Sequence, residues 1–176
     1  MADIQTLMLE QIPHLRRYAR ALVRDVDKAD DLVHDCLVRA ISRADQWQRG
    51  TNLRAWLFTI LYNNFISDVR RYAVRPRTLA NDDQVVNLSV KATQEAAIEL
   101  GELKRAIGEL PYEQRITILL IGLEGMSYEE AADIMGVPIG TVRSRLSRAR
   151  TALRHTTSGP SERLLDDQKT AEKANC

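Results

Sequence analysis

The stretch from Met126 to Leu153, MSYEEAADIMGVPIGTVRSRLSRARTAL, constrains the chain most, because it fits two helices joined by a tight turn. Ser127 is placed to cap the first helix, and Glu130, three residues on, reaches back to complete a capping box. Ala131, Ala132, Ile134 and Met135 give that helix a small apolar inner face. Gly136 stops it, since glycine takes the left-handed conformation of a helix end at little cost. A second helix restarts after Val137 and Pro138, with Val142, Leu146 and Leu153 inward and Arg143, Arg145, Arg148, Arg150 and Arg154 outward. No acid lies between Pro138 and Arg154. Arginines on a surface helix often serve only solvation, but here a capped short helix, a glycine turn and an uncompensated basic helix occur together. That is the layout of a helix-turn-helix whose second helix enters a major groove.

The rest of the chain reads as helix too. From about Ile4 to Arg24, Leu7, Ile12, Leu15, Tyr18, Ala19 and Leu22 recur at helical spacing, and Pro13 either bends this helix or marks its start. After the acidic segment DVDKADD, with Asp27 as the expected cap, Val33, Cys36, Leu37, Ala40 and Ile41 form an apolar stripe. Asp31, Asp35 and Arg39 fall off it, which by itself describes a solvated face. Gly50 breaks the pattern, and Thr51 or Asn52 caps a helix from about Leu53 to Tyr72. That helix holds too many large apolar residues for one stripe. Leu57, Ile60 and Leu61 suit a core, whereas Trp47, Trp56 and Tyr62 are expected as partly exposed rings near Arg70 and Arg71. Exposed rings beside cations suit single-stranded nucleic acid, because bases stack on the rings and phosphates meet the charges.

Periodicity fails between Ala73 and about Lys91, where Pro76, Asn81, Asp82 and Asp83 mark a connector. Helix resumes after Thr93, an expected cap, with Ala96, Leu100, Leu103, Ile107 and Leu110 on one face. Pro111 starts the next, in which Ile116, Leu119, Leu120 and Leu123 repeat the pattern before Gly125. These two helices supply a floor for the opening pair and give the second unit a modest core of its own. The polar tail from His155 to Cys176 is expected to be mobile, with SERLLDDQ able to form a short helix. The expected fold is therefore all-α: residues 1–75 form one helical domain, 76–92 a flexible linker, 93–155 a four-helix domain, and 156–176 a tail.

Composition narrows the function class. The net charge of +1 conceals basic clusters at Arg70 to Arg77 and Arg143 to Arg154, and local patches matter more than the total for nucleic-acid work. Cys36 and Cys176 make no metal spacing, His14, His34 and His155 are scattered, and no phosphate-cradling glycine loop occurs. No catalytic residue, metal site or cofactor is expected. Two unpaired cysteines and the lack of a leader or membrane-length apolar run suggest a soluble cytoplasmic protein.

Several runs together resemble the extracytoplasmic-function group of sigma-70 family RNA polymerase sigma factors. In the first half these are RRYARALV, ADDLVHDCLVRAI and NLRAWLFTILYNNFISDVRR; in the second, ELPYEQR and MSYEEAADIMGVPIGTVRSRLSRAR. The resemblance covers about Leu7 to Leu153 without the connector. It implies a transcription initiation factor with a region 2 domain and a region 4 domain. Asp31, Leu32, Asp35 and Arg39 would then dock on the beta-prime clamp of core RNA polymerase, and the beta flap would be a further contact. Trp47, Trp56, Asn63, Arg70 and Arg71 would capture the opened strand of the minus-10 element. Thr141, Arg143, Ser144, Arg145 and Arg148 would read the minus-35 duplex. His34 and Cys36 depart from the glutamine and threonine frequent in the family. GTNLRAWLFTI with SYEEAADIMGVPIGTVRSR is similar to the general-stress sigma factors of alphaproteobacteria, which implies an anti-sigma factor and a sigma-mimicking response regulator. The rival readings are a conventional helix-turn-helix regulator and a sigma-like decoy for an anti-sigma factor.

Overall fold

The computed structural model describes residues 4–48, 50–74 and 94–157. Among them the chain forms seven α-helices and no strand: α1 (Ile4–Val23), α2 (Val26–Ser42), α3 (Leu53–Val74), α4 (Gln94–Glu109), α5 (Tyr112–Ile118), α6 (Tyr128–Met135) and α7 (Ile139–Thr157). A 3-10 turn at Ala44–Gln46 follows α2, and a π turn at Leu119–Leu123 extends α5. The connector, with Thr93 as a cap, and the SERLLDDQ segment lie outside the described residues.

Pro13 sits inside α1, which runs through it without a break. Its inner stripe of Leu15, Tyr18, Ala19 and Leu22 is buried to 1% exposure or less, and each fully buried leucine stabilises the fold by about 2 kcal/mol. After Asp25 the acidic segment DVDKADD forms the first turns of α2. Asp25, not Asp27, is its cap: it is extended, and its Oδ1 accepts the Lys28 N–H at 3.0 Å. Hydrogen bonds from the Lys28 backbone and side chain hold its carboxyl below the usual range. Asp27 falls in the first turn, where its charge favours the positive end of the helix dipole. At the other end of the stripe Ile41 is 54% exposed and belongs to the surface. Cys36 is buried and donates weakly to the Leu57 carbonyl, and burial pushes its thiol up to about 12.

Asn52 caps α3 by accepting the Ala55 N–H at 3.1 Å. Leu57, Ile60 and Leu61 enter the core as the spacing predicts, with Phe58 edge-on to Tyr18 at 5.2 Å between ring centroids. In α4 the inner face runs through Ala106 rather than Leu103, which is exposed, and Leu110 just past the helix end is buried with it. Ala106 and Leu110 meet Ala149 and Leu153 of α7, making a small core that belongs to the second half alone.

The main core is not confined to either half. One continuous cluster takes Leu15, Tyr18, Leu57, Phe58 and Leu61 from the first half with Ile116, Leu120, Met126, Ala131 and Met135 from the second. The expected separate core of the second half is therefore minor, and α6 packs against α3 as well as against α7. Among the described residues no helix is long and apolar enough to cross a membrane.

Candidate nucleic-acid interface

The helix-turn-helix is built by local hydrogen bonds. Ser127 Oγ accepts the Glu130 N–H at 3.1 Å while Glu130 Oε2 accepts the Ser127 N–H at 2.9 Å, completing the capping box. Gly136 takes φ 62° and ψ 38°, and its N–H and that of Val137 return to carbonyls of the last turn of α6. The Pro138 carbonyl accepts the Thr141 N–H at 2.8 Å and so opens α7. Val142, Leu146, Ala149 and Leu153 then bury one side of that helix at a spacing of four, three and four residues.

Arg143, Arg150 and Arg154 are exposed on one flank of that stripe and Arg148 on the other. Arg143, Arg150 and Arg154, together with Tyr128, Ser147 and Thr151, line an open groove of about 210 Å³ between α6 and α7. Ser144 is exposed and donates to the Thr141 carbonyl. Arg145 differs from its neighbours. Its side chain is 17% exposed and lies 2.8 Å from Glu113 of α5, so the expectation of an outward, uncompensated cation is corrected at this position. The compensating acid comes from another helix, where a scan along α7 does not find it. Tyr62 of α3 lies within reach of the same charges. Burial raises its phenol pKa, and the nearby Arg145 opposes that rise.

A second group of expected residues follows the chain from Trp47 into α3. Trp47 and Trp56 are partly buried, Asn63, Arg70 and Arg71 exposed. Trp56, Asn63 and Arg70 lie seven residues apart, close to one line along the helix. The Trp47 indole N–H has no hydrogen-bond partner among the described residues. On α2, Asp31, Asp35 and Arg39 are exposed four residues apart. Leu32 is 5% exposed and points into the core, so it supports this face from beneath and does not present itself to a partner. Val38 and Ile41, 51% and 54% exposed, give the outer surface of α2 an apolar component that stripe counting assigned to the interior or passed over.

Sequence reasoning missed the cluster around Glu124. Its side chain is fully buried just beyond the π turn, yet it carries a carboxylate. Arg17 donates to it through two nitrogens at 3.0 Å each, Arg54 donates at 2.5 Å, and His14 Nδ1 lies 3.3 Å away. The hydrogen bonds that Arg17 donates to Glu124 raise its pKa above the ordinary value. Arg54 also reaches the Glu124 backbone carbonyl, and stands 5.7 Å over the Phe58 ring. The signal available was a lone acid between an apolar run and a glycine in LLIGLEGM, but its partners are 70 to 110 residues away. Among the described residues no group of acids, histidines and cysteines could hold a metal ion.

Two family descriptions match the chain: "Sigma2 domain of PhyR" over residues 8–62 and "Sigma-70, region 4" over residues 100–153. The ECF RNA polymerase sigma factor EcfG of Rhodopseudomonas palustris is 43% identical over 83% of this chain and 80% of its own length. SigC of Mycobacterium tuberculosis, also an ECF RNA polymerase sigma factor, is 35% identical over 76% of this chain and 72% of its own. Among solved structures, the sigma factor RpoE of Bartonella quintana, in complex with the anti-sigma factor NepR, superimposes with a TM-score of 0.72. It is 40% identical, and the match covers 89% of this chain and 97% of that one.

Proposed function

We propose, from the premise that this chain belongs to the extracytoplasmic-function group of sigma-70 RNA polymerase sigma factors, that its two halves grip a promoter at two separate elements. Membership makes it a bacterial transcription initiation factor, which binds core RNA polymerase and directs it to specific promoters. It works by binding and carries out no reaction of its own, in the cytoplasm where the polymerase is. The residues that form each grip are our assignment.

The observation that carries the assignment is the outer face of α7. Four exposed arginines stand on the second helix of a capped helix-turn-helix, and none of them has an ion-pair partner among the described residues. In our reading Thr141, Arg143, Ser144 and Arg148 meet the minus-35 duplex. Arg150 and Arg154 flank them along the groove toward phosphate, since phosphate contacts fix the register and base-edge contacts select the sequence. Arg145 joins them only after leaving Glu113. Trp56, Asn63 and Arg70, aligned on α3, and Trp47 before it take the opened minus-10 strand, as rings beside cations can. The α2 surface of Asp31, Asp35, Arg39, Val38 and Ile41 docks on the beta-prime clamp, its apolar patch supplying area and its charges orientation. The second half then approaches the beta flap.

An anti-sigma factor is the antagonist we assign to this chain. Its likeness to EcfG and to the NepR-bound RpoE supports placing it with the general-stress sigma factors. The division of labour is tested by comparing two variants in polymerase holoenzyme. Trp56→Ala should leave closed-complex affinity within about twofold while lowering permanganate reactivity of minus-10 thymines by about tenfold, the size of one lost stacking contact. Arg148→Ala should instead weaken closed-complex formation. Equal losses of duplex affinity in both variants would contradict the assignment.

A further inference from the structure

Resting on that reading, we propose that Ser147 is a phosphorylation site, and that a phosphoryl group on it fills the arginine-lined groove of α7 in place of a DNA backbone phosphate. Ser147 and three arginines, Arg143, Arg150 and Arg154, line one open groove of about 210 Å³, with Tyr128 of α6 and Thr151 beside them. No acid lines that groove, and none of the three arginines has an ion-pair partner among the described residues. Helix positions three and four apart are neighbours, so Arg143 and Arg150 flank Ser147 directly and Arg154 stands one turn beyond Arg150. Among the described residues the other exposed hydroxyls of α7 are engaged. Ser144, Thr151 and Thr156 donate to the carbonyls of Thr141, Ser147 and Ala152, each at 3.0 Å. The Ser147 hydroxyl is exposed and has no hydrogen-bond partner among the described residues.

The reaction is that of a serine kinase with ATP as donor. Oγ of Ser147 attacks the γ-phosphorus, the bond from that phosphorus to the β,γ-bridging oxygen breaks, ADP leaves, and the hydroxyl proton passes to a carboxylate base of the kinase. Arg143, Arg145, Arg148 and Arg150 surround Ser147 in the sequence, a charge pattern that suits a kinase with an acidic substrate cleft. The product carries about two negative charges at neutral pH and three strong acceptor oxygens. Guanidinium groups bind such oxygens through charge-assisted, often bidentate hydrogen bonds, and three of them border this groove. Arginines held by the phosphoserine are lost to DNA. No residue of α2 lines the groove, so the modified chain keeps its polymerase-docking surface while losing the minus-35 grip.

The test compares the unmodified full chain with the chain phosphorylated at Ser147 by incorporation of phosphoserine during translation. Phosphorylation should weaken minus-35 duplex binding at least about tenfold and flatten its salt dependence by about two units of log K per log salt, the share of two neutralised arginines. Equal affinity and slope for the two forms would overturn the proposal. Capture by the groove is read separately by phosphorus NMR. The second phosphoserine ionisation, ordinarily at about pH 6, should move down because the arginines favour the dianion, and should return when Arg150→Gln and Arg154→Gln are combined. A midpoint indifferent to both substitutions would refute capture. Mass spectrometry of the chain isolated from the cells that make it, in growth and under stress, should find phosphate on Ser147, and its absence in both states would refute the site. Transcription by the unmodified chain with core polymerase reports on the sigma-factor reading, whereas the NMR midpoint needs no DNA, so either reading can fail alone.

Discussion

Arg145 and Glu113 lie 2.8 Å apart on different helices, and the pairing changes what the basic face of α7 can offer. Five arginines are legible along that helix, but the charge that offsets one of them is not, because Glu113 is on α5 and the pairing exists only after folding. Glu113→Gln should release Arg145 to phosphate and steepen the dependence of duplex affinity on salt by about one unit of log K per log salt. The measurement is binding across a salt series, and an unchanged slope would show that Arg145 does not reach DNA. Glu124 teaches the same lesson more strongly. A lone acid beside a glycine carries little information in one dimension, and its meaning comes from Arg17 and Arg54 brought to it by two helices, α1 and α3.

At the scale of elements, local chemistry was readable wherever a few neighbouring residues decide the outcome. The capping box of α6 and the stop at Gly136 follow from hydrogen bonds within ten residues, and they form as the spacing predicts. Gly136 has φ 62° with open space where a Cβ would stand, so Gly136→Ala meets backbone strain and no clash. It should cost about 1 kcal/mol, and Gly136→Asn less, because asparagine tolerates the left-handed region. Urea midpoints at unchanged slope check this, and equal stability of Gly136→Ala and wild type would contradict it. The cap of α2 was misplaced by two residues because Asp25 and Asp27 are equally plausible in sequence, and only the extended backbone at Asp25 distinguishes them. Leu103 and Ala106 were exchanged on α4 for a related reason. Helical spacing names a set of faces, and the close approach of Ala149 and Leu153 selects the one lined by the small Ala106.

For the whole molecule, two helical regions were legible from the motif order, but their shared core was not. A connector read as a boundary suggests independence, whereas Leu57, Phe58, Met126 and Met135 sit in one cluster. We assign promoter selection to three features together: the exposed helix-turn-helix face, the line of Trp56, Asn63 and Arg70 on α3, and the mixed surface of α2. Their joint use is the central claim, and core enzyme is the reagent that calls on all three. Sigma-free core RNA polymerase reconstituted with this chain, on a template carrying a candidate general-stress promoter, is the most direct measurement. The account predicts a run-off transcript that depends on the chain and on both promoter elements, and that falls at least about tenfold with Trp56→Ala. Stable binding to core with a transcript unaffected by changing either element, or no binding to core at all, would contradict it.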